Sequence, residues 1–303
     1  MSDDQAETRC GFVALIGAPN AGKSTLINRL VGTKVSIVSR KVQTTRGIVR
    51  GIAIFGRSEV VFVDTPGIFR PKRRLDRAMV ETAWTGARDA DLTALLIDAG
   101  RGLDEEAREI CEKLGEIGGP KILLLNKIDT VNREMLLSLA AEANSLATFS
   151  HTFMISALTG DGLDDFSNYL AGAVPPGPFL YPEDEVSDVP LRQLAAEITR
   201  EKLFERLHQE LPYASTVETE SWKEQPDGSV RIEQVIFIER DSQKKIVIGK
   251  GGDTIKAISI AARKEIAEIV ERPVHLFLFV KVREKWADDP ERYRQIGIEF
   301  PKT

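Results

Sequence analysis

The sequence has little cysteine and histidine, and it has no long apolar run. Two cysteines, Cys10 and Cys111, and three histidines occur among 303 residues, and neither type has the spacing of a metal or redox motif. We interpret both thiols as plain residues of a reducing compartment and the histidines as structural. No run of about 18 apolar residues occurs, which argues against a membrane span, and the acidic, polar start is unlike a secretory signal. We expect a cytoplasmic protein.

Length and periodicity indicate two domains. The chain is 42% hydrophobic and 29% charged, and it is long enough for about two domains. Apolar runs alternate with helical patterns up to about residue 171, as in a mostly parallel sheet with helices on both faces. Five prolines then interrupt residues 173–190, which we interpret as a linker or a tethered strap. We predict one domain over residues 1–172 and a second over residues 191–303.

A phosphate-binding loop is predicted at residues 17–24, which read GAPNAGKS. An apolar run precedes it and a helical pattern follows it, which is the context that this motif needs. Gly17 and Gly22 let successive N–H groups converge on phosphate oxygens at a helix N-terminus. We expect Lys23 to reach the β- and γ-phosphates and Ser24 to ligate Mg²⁺. A glycine turn without a ligand is the alternative, and the segments that follow make it a poor one.

Three further segments follow in the order that a GTP-binding fold requires. Residues 64–67 read DTPG after a buried-strand pattern, so Asp64 is expected to hold Mg²⁺ through water and Gly67 to donate its N–H to the γ-phosphate. Residues 126–129 read NKID, and residues 156–158 read SAL. A carboxylate accepts both adjacent N–H donors of guanine, and the third segment places an N–H near its O6. The predicted nucleotide-binding residues are Gly17, Asn20, Ala21, Gly22, Lys23, Ser24, Thr25, Asp64, Gly67, Asn126, Lys127, Asp129, Ser156, Ala157 and Leu158.

A switch segment is predicted between these motifs, at residues 43–47, QTTRG. One threonine should close over Mg²⁺ when the γ-phosphate is present, and we favour Thr45 over Thr44; release after hydrolysis makes the domain a switch. A second contact surface is predicted at residues 70–74 with Arg77, although a basic run is equally often a solvated face.

The sequence lacks the glutamine that orients the attacking water in signalling GTPases, because Ile68 occupies that position. We therefore expect slow intrinsic turnover. Asn20 either shapes its turn or holds a potassium ion against the phosphates, where the ion would supply positive charge. The catalytic candidates are Lys23, Thr45 and Asn20.

The second domain has the element order of a KH domain in its prokaryotic, type II arrangement: helix, two strands, helix, Gly-x-x-Gly, helix, strand. Its motif lets a sugar-phosphate backbone approach closely, beside an apolar groove for about four unstacked bases. Ile248, Ile255 and Ile258 belong either to that groove or to the core. Residues 240–264 carry seven basic and two acidic residues, whereas residues 181–303 carry 20 and 24. This favours a defined single-stranded RNA site. The predicted RNA-binding residues are Lys245, Ile248, Gly249, Lys250, Gly251, Gly252 and Lys256.

Together these motifs resemble the Era family of bacterial GTPases, over essentially the whole chain. The resemblance rests on residues 17–25, 43–46, 64–67 and 126–129, on VIGKGG at 247–252, and on WADD at 286–289. It implies a P-loop GTPase domain with a mostly parallel six-stranded sheet, followed by an α+β KH domain. It also implies that the GTP-bound protein binds the 3′ end of small-subunit ribosomal RNA and dissociates after hydrolysis. It further implies that RNA bound in the KH cleft stimulates GTP hydrolysis.

We therefore expect an RNA-binding GTPase that assists maturation of the small ribosomal subunit, with GTP, GDP and Mg²⁺ as ligands and potassium as an additional ion. We expect a monomer that does not bind DNA. The resemblance adds peripheral contact with the inner membrane, although no convincing amphipathic helix is present.

One alternative is a membrane-proximal switch for growth or division whose KH domain docks partners. The basic cluster at residues 240–264 argues against it. Another is a GTPase that modifies or escorts transfer RNA, for which no separate catalytic centre is visible.

Overall fold

The computed structural model describes residues 7–39, 41, 44–208, 211–284, 286 and 289–301. Gln43 of the predicted switch segment lies outside the described residues, as do Ala287 and Asp288 of the WADD segment. The chain forms two compact units. The first contains the described parts of Met1–Ser36, Thr45–Asp188 and Ile296–Thr303, and the second those of Ile37–Thr44 and Val189–Gln295. Within the described residues, no helix has the length and apolar character that crossing a membrane requires.

The first unit is a six-stranded sheet with helices on both faces, as predicted. The strand order is β2-β3-β1-β4-β5-β6, in which β2 is antiparallel to β3 and the other pairs are parallel. The strands are β1 (Arg9–Ile16), β2 (Val49–Phe55), β3 (Ser58–Asp64), β4 (Leu92–Asp98), β5 (Lys121–Asn126) and β6 (His151–Ile155). The helices are α1 (Lys23–Val31), α2 (Arg74–Asp89), α3 (Glu105–Gly115), α4 (Arg133–Leu146) and α5 (Leu163–Ala173).

Burial explains why the central strands are nearly continuous apolar runs. In β5, residues 122–125 are 0% exposed because helices cover both faces of the sheet. One core lies under α1 and α5 and includes Leu26 and Phe166; the other lies under α2, α3 and α4 and includes Trp84 and Cys111. Since the carboxyl ends of parallel strands meet at one edge, the loops after β1, β3, β5 and β6 come together there.

Residues 174–188 lie against the first unit as a strap. Close to its start, Pro175 O accepts a hydrogen bond from Cys10 N at 3.0 Å. Further along, the buried Glu59 carboxylate accepts from the backbone N–H groups of Leu180 and Tyr181, at 3.1 and 3.2 Å. Near its end, Val186 O accepts from Ile52 N at 2.9 Å, which extends the edge of β2. The proline-rich segment therefore has its own fixed backbone hydrogen bonds within this unit.

The second unit has one three-stranded sheet, in the order β7-β8-β9, with β7 antiparallel and β9 parallel to β8. Its helices cover one face, where Leu203, Ile236 and Ile258 share a core. The element order is that predicted for a type II KH domain. The elements are α6 (Leu191–Arg206), β7 (Ser215–Glu224), β8 (Val230–Ile238), α7 (Asp241–Ile248), a 3₁₀ turn (Lys250–Gly252), α8 (Asp253–Val270), β9 (Val274–Val282) and α9 (Pro290–Gln295).

Candidate nucleotide and RNA sites

The phosphate-binding loop connects β1 to α1, and its glycine at position 22 has no substitute. Gly22 has a φ of 105°, and a Cβ there would lie 2.2 Å from Asn126 Nδ2. Lys23 begins α1, and its buried Nζ donates to the carbonyl oxygens of Gly17 and Ala18, at 3.0 and 3.1 Å. Burial lowers the pKa of Lys23 to about 8, an effect that the Asp64 carboxylate partly opposes. The loop therefore holds the ammonium group directly beneath its own backbone.

Three oxygen-bearing side chains converge at the end of β3. Ser24 Oγ donates to Asp64 Oδ2 at 2.8 Å, and Thr45 Oγ1 lies 3.0 Å from Ser24 Oγ and 3.4 Å from Asp64 Oδ2. Asp64 is fully buried, and its Oδ1 has no hydrogen-bond partner within the described parts of the chain. Burial raises the pKa of the Asp64 carboxyl above its ordinary value. A buried carboxylate oxygen without a partner, beside two hydroxyls, is the hard oxygen set that Mg²⁺ prefers.

The geometry also separates the two switch threonines. Thr44 Oγ1 donates to Lys41 O at 2.8 Å, within the second unit. Thr45, by contrast, contributes its hydroxyl to the cluster around Asp64 in the first unit. A residue that sequence reasoning missed is Ser36, whose buried Oγ donates to Asp64 Oδ2 at 2.8 Å. No motif surrounds Ser36, so only the fold reveals this contact.

Asn126 connects two loops that are far apart in sequence. Its Nδ2 donates to Ala21 O at 2.8 Å in the phosphate-binding loop, and its Oδ1 accepts from Ala157 N at 2.9 Å. The side chain is buried, and both of its polar atoms are engaged with protein backbone. We predicted that Asn126 and Asp129 read the base as a pair. The contacts give Asn126 a bracing position as well, and because an amide NH2 has two N–H donors, its bond to Ala21 O leaves one for the base. Reading of the base by the pair therefore stays a prediction, with Asp129 as the acceptor of the guanine N–H groups.

The remaining base-loop residues surround Asp129. The buried Ser156 Oγ donates to Asp129 Oδ1 at 2.6 Å and accepts from Thr159 N at 3.1 Å. Lys127 has a left-handed φ of 66°, and its Nζ lies 2.6 Å from Asp98 Oδ2. Leu158 is 73% exposed at the tip of the loop. At this edge of the sheet, Ser156 therefore holds the Asp129 carboxylate in place.

Asn20, Ile68 and Arg70 lie around the predicted phosphate site, and each has a distinct environment. Asn20 is exposed with a left-handed φ of 64°, which is the backbone shape that its turn requires. The side chain of Ile68 is packed in the core, and it is aliphatic, so it has no group that could orient water. In the basic run, Arg70 makes ion pairs with Glu105 and Glu109 of α3. The start of the basic run is thus held on a helix of its own unit by exposed, weak ion pairs.

The Gly-x-x-Gly turn joins α7 to α8, and its first glycine is required for two reasons. Gly249 has φ 79° and ψ 174°, and a Cβ there would lie 2.3 Å from Thr254 Oγ1. A Cβ at Gly251 or Gly252 would meet nothing within 4 Å, so the surface there is open. The side chains of Lys245, Lys250 and Lys256 are exposed around this turn.

The isoleucines near this turn divide between the groove and the core. Ile258 is 0% exposed within the core of α6, β8 and α7, so of the two predicted positions the core is the correct one. Ile248 and Ile255 are half-buried and keep surface that a ligand can reach.

The strand-end loops and the Gly-x-x-Gly turn together define a P-loop GTPase that carries a KH domain. A family described as "50S ribosome-binding GTPase" matches residues 12–127, and the family "KH domain" matches residues 210–287. GTPase Era of Rhizobium meliloti is 70% identical over 97% of this chain and 94% of its own length. GTPase Era of Afipia carboxidovorans is 68% identical over 100% of this chain and 98% of its own. The chain therefore belongs to the Era family of GTPases.

Two solved structures match both units. A crystal structure of Era in complex with MgGDPNP and nucleotides 1506–1542 of 16S ribosomal RNA has a TM-score of 0.90 at 38% identity, and the match covers 96% of this chain and 99% of that one. An Aquifex aeolicus Era variant bound to GDP.AlF4⁻ has the same score, identity and coverage. The predicted GTPase activity and the predicted fold are confirmed by these relatives.

Proposed function

We propose that this protein is a GTP-dependent switch that holds the 3′ end of small-subunit ribosomal RNA and assists maturation of the small ribosomal subunit. The observation that carries the proposal is the likeness, over 96% of the chain, to an Era structure in complex with MgGDPNP and a segment of 16S ribosomal RNA. The Gly-x-x-Gly turn, with its open surface and exposed lysines, is where this chain would take the RNA backbone.

The phosphates of GTP would lie on the loop between β1 and α1. Lys23 would turn its ammonium from the loop carbonyls toward the β- and γ-phosphates, at the N-terminus of α1. Mg²⁺ fits the orphaned Oδ1 of Asp64 and the hydroxyls of Ser24 and Thr45, and it would supply positive charge to the phosphate oxygens. Gly67, next to Pro19 of the loop, would donate its N–H to the γ-phosphate.

The guanine base would be recognised by Asp129, which accepts from its two N–H groups. Ser156 orients that carboxylate, and Asn126 keeps the base loop at a fixed distance from the phosphate-binding loop. Exclusion of adenine follows, because adenine presents no matching pair of donors. Lys127 and Leu158 would flank the base with the apolar parts of their side chains.

A potassium ion at Asn20 belongs to the same proposal. The exposed Asn20 side chain lies in the phosphate-binding loop, where a monovalent cation would add positive charge as the β–γ bond breaks. Hydrolysis should be faster in potassium than in sodium for the native chain and equally slow in both for Asn20→Ala. Equal rates in the two salts for the native chain would remove the ion from the account.

Co-sedimentation with purified ribosomal subunits tests the proposal. With a non-hydrolysable GTP analogue, the protein should travel with the small subunit, and it should be released with GDP. Gly251→Asp should abolish this binding. Gly56→Asp is the matched control, because Gly56 has the same φ of 63° and the same open surroundings in the turn between β2 and β3. Binding to the large subunit alone would contradict the proposal. It would instead favour a large-subunit target, as the family description "50S ribosome-binding GTPase" indicates.

A further inference from the structure

Strand β9 exposes an aromatic face on the side of the sheet that faces away from α8. It lies at the edge of the sheet, and its side chains alternate, with Val274 and Leu276 buried beneath the helices. On the opposite face, Phe277 is 40% exposed and Phe279 is 48% exposed. Large exposed aromatic side chains on one strand are a common sign of a binding surface.

Two concavities meet at this strand, and both are lined by His275 and Phe277. One, of about 350 Å³, lies toward α8 and is also lined by Lys256, Ile260 and Arg263. The other, of about 410 Å³, lies toward the β7–β8 turn and is also lined by Asp227 and Arg231. Lys256 is one of the predicted RNA-binding residues, so the first concavity continues the Gly-x-x-Gly cleft along α8. Phe277 is the point at which this path passes over the sheet edge.

The charge around this path favours a polyanion. Lys256, Arg263 and Arg231 line the two concavities, against the single carboxylate of Asp227. Arg231 lies over the Phe277 ring, with its Cζ 4.3 Å from the ring centroid. Its ion pair with Glu233, at 2.9 Å, is exposed and therefore weak, so it can be exchanged for a phosphate contact.

We infer that single-stranded RNA leaving the Gly-x-x-Gly cleft continues along α8, passes over the edge of β9, and stacks bases on Phe277 and Phe279. The inference rests on the proposed function, since it extends the RNA path of the same domain. Residues two apart on a strand lie about 6.8 Å apart on one face. Splayed neighbouring bases can stack on side chains at that spacing, as they do on sheet aromatics in other RNA-binding domains. Such stacking tolerates any base, so it adds affinity without adding sequence preference.

The test compares RNA lengths. Fluorescein-labelled oligoribonucleotides from the 3′ end of small-subunit RNA, ten nucleotides long and nested down to four from either end, are titrated with the full chain. The variant Phe277→Ala/Phe279→Ala should bind the longest RNA roughly tenfold more weakly than the native chain, while its affinity for the best four-nucleotide RNA stays unchanged. Phe277→Trp should retain the native affinity for long RNA, because it keeps an aromatic face.

The controls separate this inference from the proposed function. Leu191→Ala removes an exposed apolar side chain at the start of α6, next to the opposite edge strand, β7, and should change neither affinity. Gly251→Asp should weaken RNA of every length, and if it does not, the cleft itself is misassigned. Unchanged binding of long RNA by the double alanine variant, or an equal loss at every length, would overturn the stacking path while leaving the cleft in place. Thermal unfolding of each variant excludes loss of the fold.

Discussion

Ser156 and Asp129, 27 residues apart in the chain, are joined by a hydrogen bond of 2.6 Å between a buried hydroxyl and a carboxylate. The bond holds the carboxylate of the NKID segment against the loop that follows β6. Asn126 Oδ1 also accepts from Ala157 N of the same loop, so two side-chain hydrogen bonds hold the NKID segment and this loop together. This arrangement positions Asp129, the predicted acceptor for the base.

Asp129→Asn should change base preference from guanine to xanthine. The amide replaces an acceptor by a donor, which matches the carbonyl of xanthine and conflicts with the amino group of guanine. Affinity for GDP should fall roughly tenfold to a hundredfold, the range for a lost hydrogen bond to a charged group, and affinity for XDP should rise. Fluorescent nucleotide titrations measure both. Asp161→Asn, in the same loop, is the control and should keep GDP preference; unchanged selectivity in Asp129→Asn would contradict base reading by this carboxylate.

Asn126→Ala should destabilise the fold even without nucleotide. The substitution leaves Ala21 O and Ala157 N without their partner in a buried site, which costs about 2 kcal/mol of unfolding free energy. Denaturant unfolding of the nucleotide-free protein measures it. Asn144→Ala removes a similar amide at an exposed helix position and should change stability by less than about 0.5 kcal/mol. Equal stability of the two variants would show that the brace is energetically unimportant.

Asp64→Asn should separate folding from Mg²⁺ binding. The native carboxylate is buried with an unpartnered oxygen, and burial raises its pKa, so a neutral amide of the same shape should fold at least as stably in EDTA. Stabilisation by GDP, about 2.7 kcal/mol at a ligand concentration of a hundred times Kd, should then no longer depend on Mg²⁺. Thermal unfolding with and without Mg²⁺ measures this, and the exposed Asp89→Asn is the control. A variant that keeps the full Mg²⁺ dependence would exclude Asp64 from the metal site.

Both thiols should resist alkylation at pH 8.5. Burial raises the pKa of Cys111 to about 12, and burial together with the hydrogen bond to Glu59 raises that of Cys10 to about 11. A raised pKa keeps each thiol protonated, and only the thiolate reacts with iodoacetamide. Mass spectrometry should find labelling in guanidinium chloride and very little in the native protein. The same shifts make folding stability fall as pH rises above about 9, where the unfolded thiols begin to ionise. Rapid labelling of the native chain would contradict this description of the core.

The parts of the site that the sequence predicts are those in which neighbouring residues carry the whole function. The phosphate-binding loop and the Gly-x-x-Gly turn depend on local backbone shape, and the buried strands before Asp64 and Asn126 depend on local apolar runs. The bracing role of Asn126 could not be predicted, because it depends on three distant segments meeting at one edge of the sheet.

Other features also depend on packing between distant elements. Ser36 reaches Asp64 only through the path of its loop. The spacing of Ile258 is compatible with both the groove and the core, and only the placement of the helices puts it in the core. The strap lies where Glu59 offers buried acceptors, and nothing in the proline-rich segment indicates that partner.

The measurement that tests the central claim most directly is crosslinking and sequencing of the RNA bound in cells by the native chain, beside Gly251→Asp and the matched Gly56→Asp. We predict reads concentrated at the 3′ end of small-subunit ribosomal RNA for the native chain and for Gly56→Asp, and their loss in Gly251→Asp. Reads dispersed over many RNAs, or concentrated on large-subunit RNA, and unaffected by the substitution at Gly251, would contradict the account.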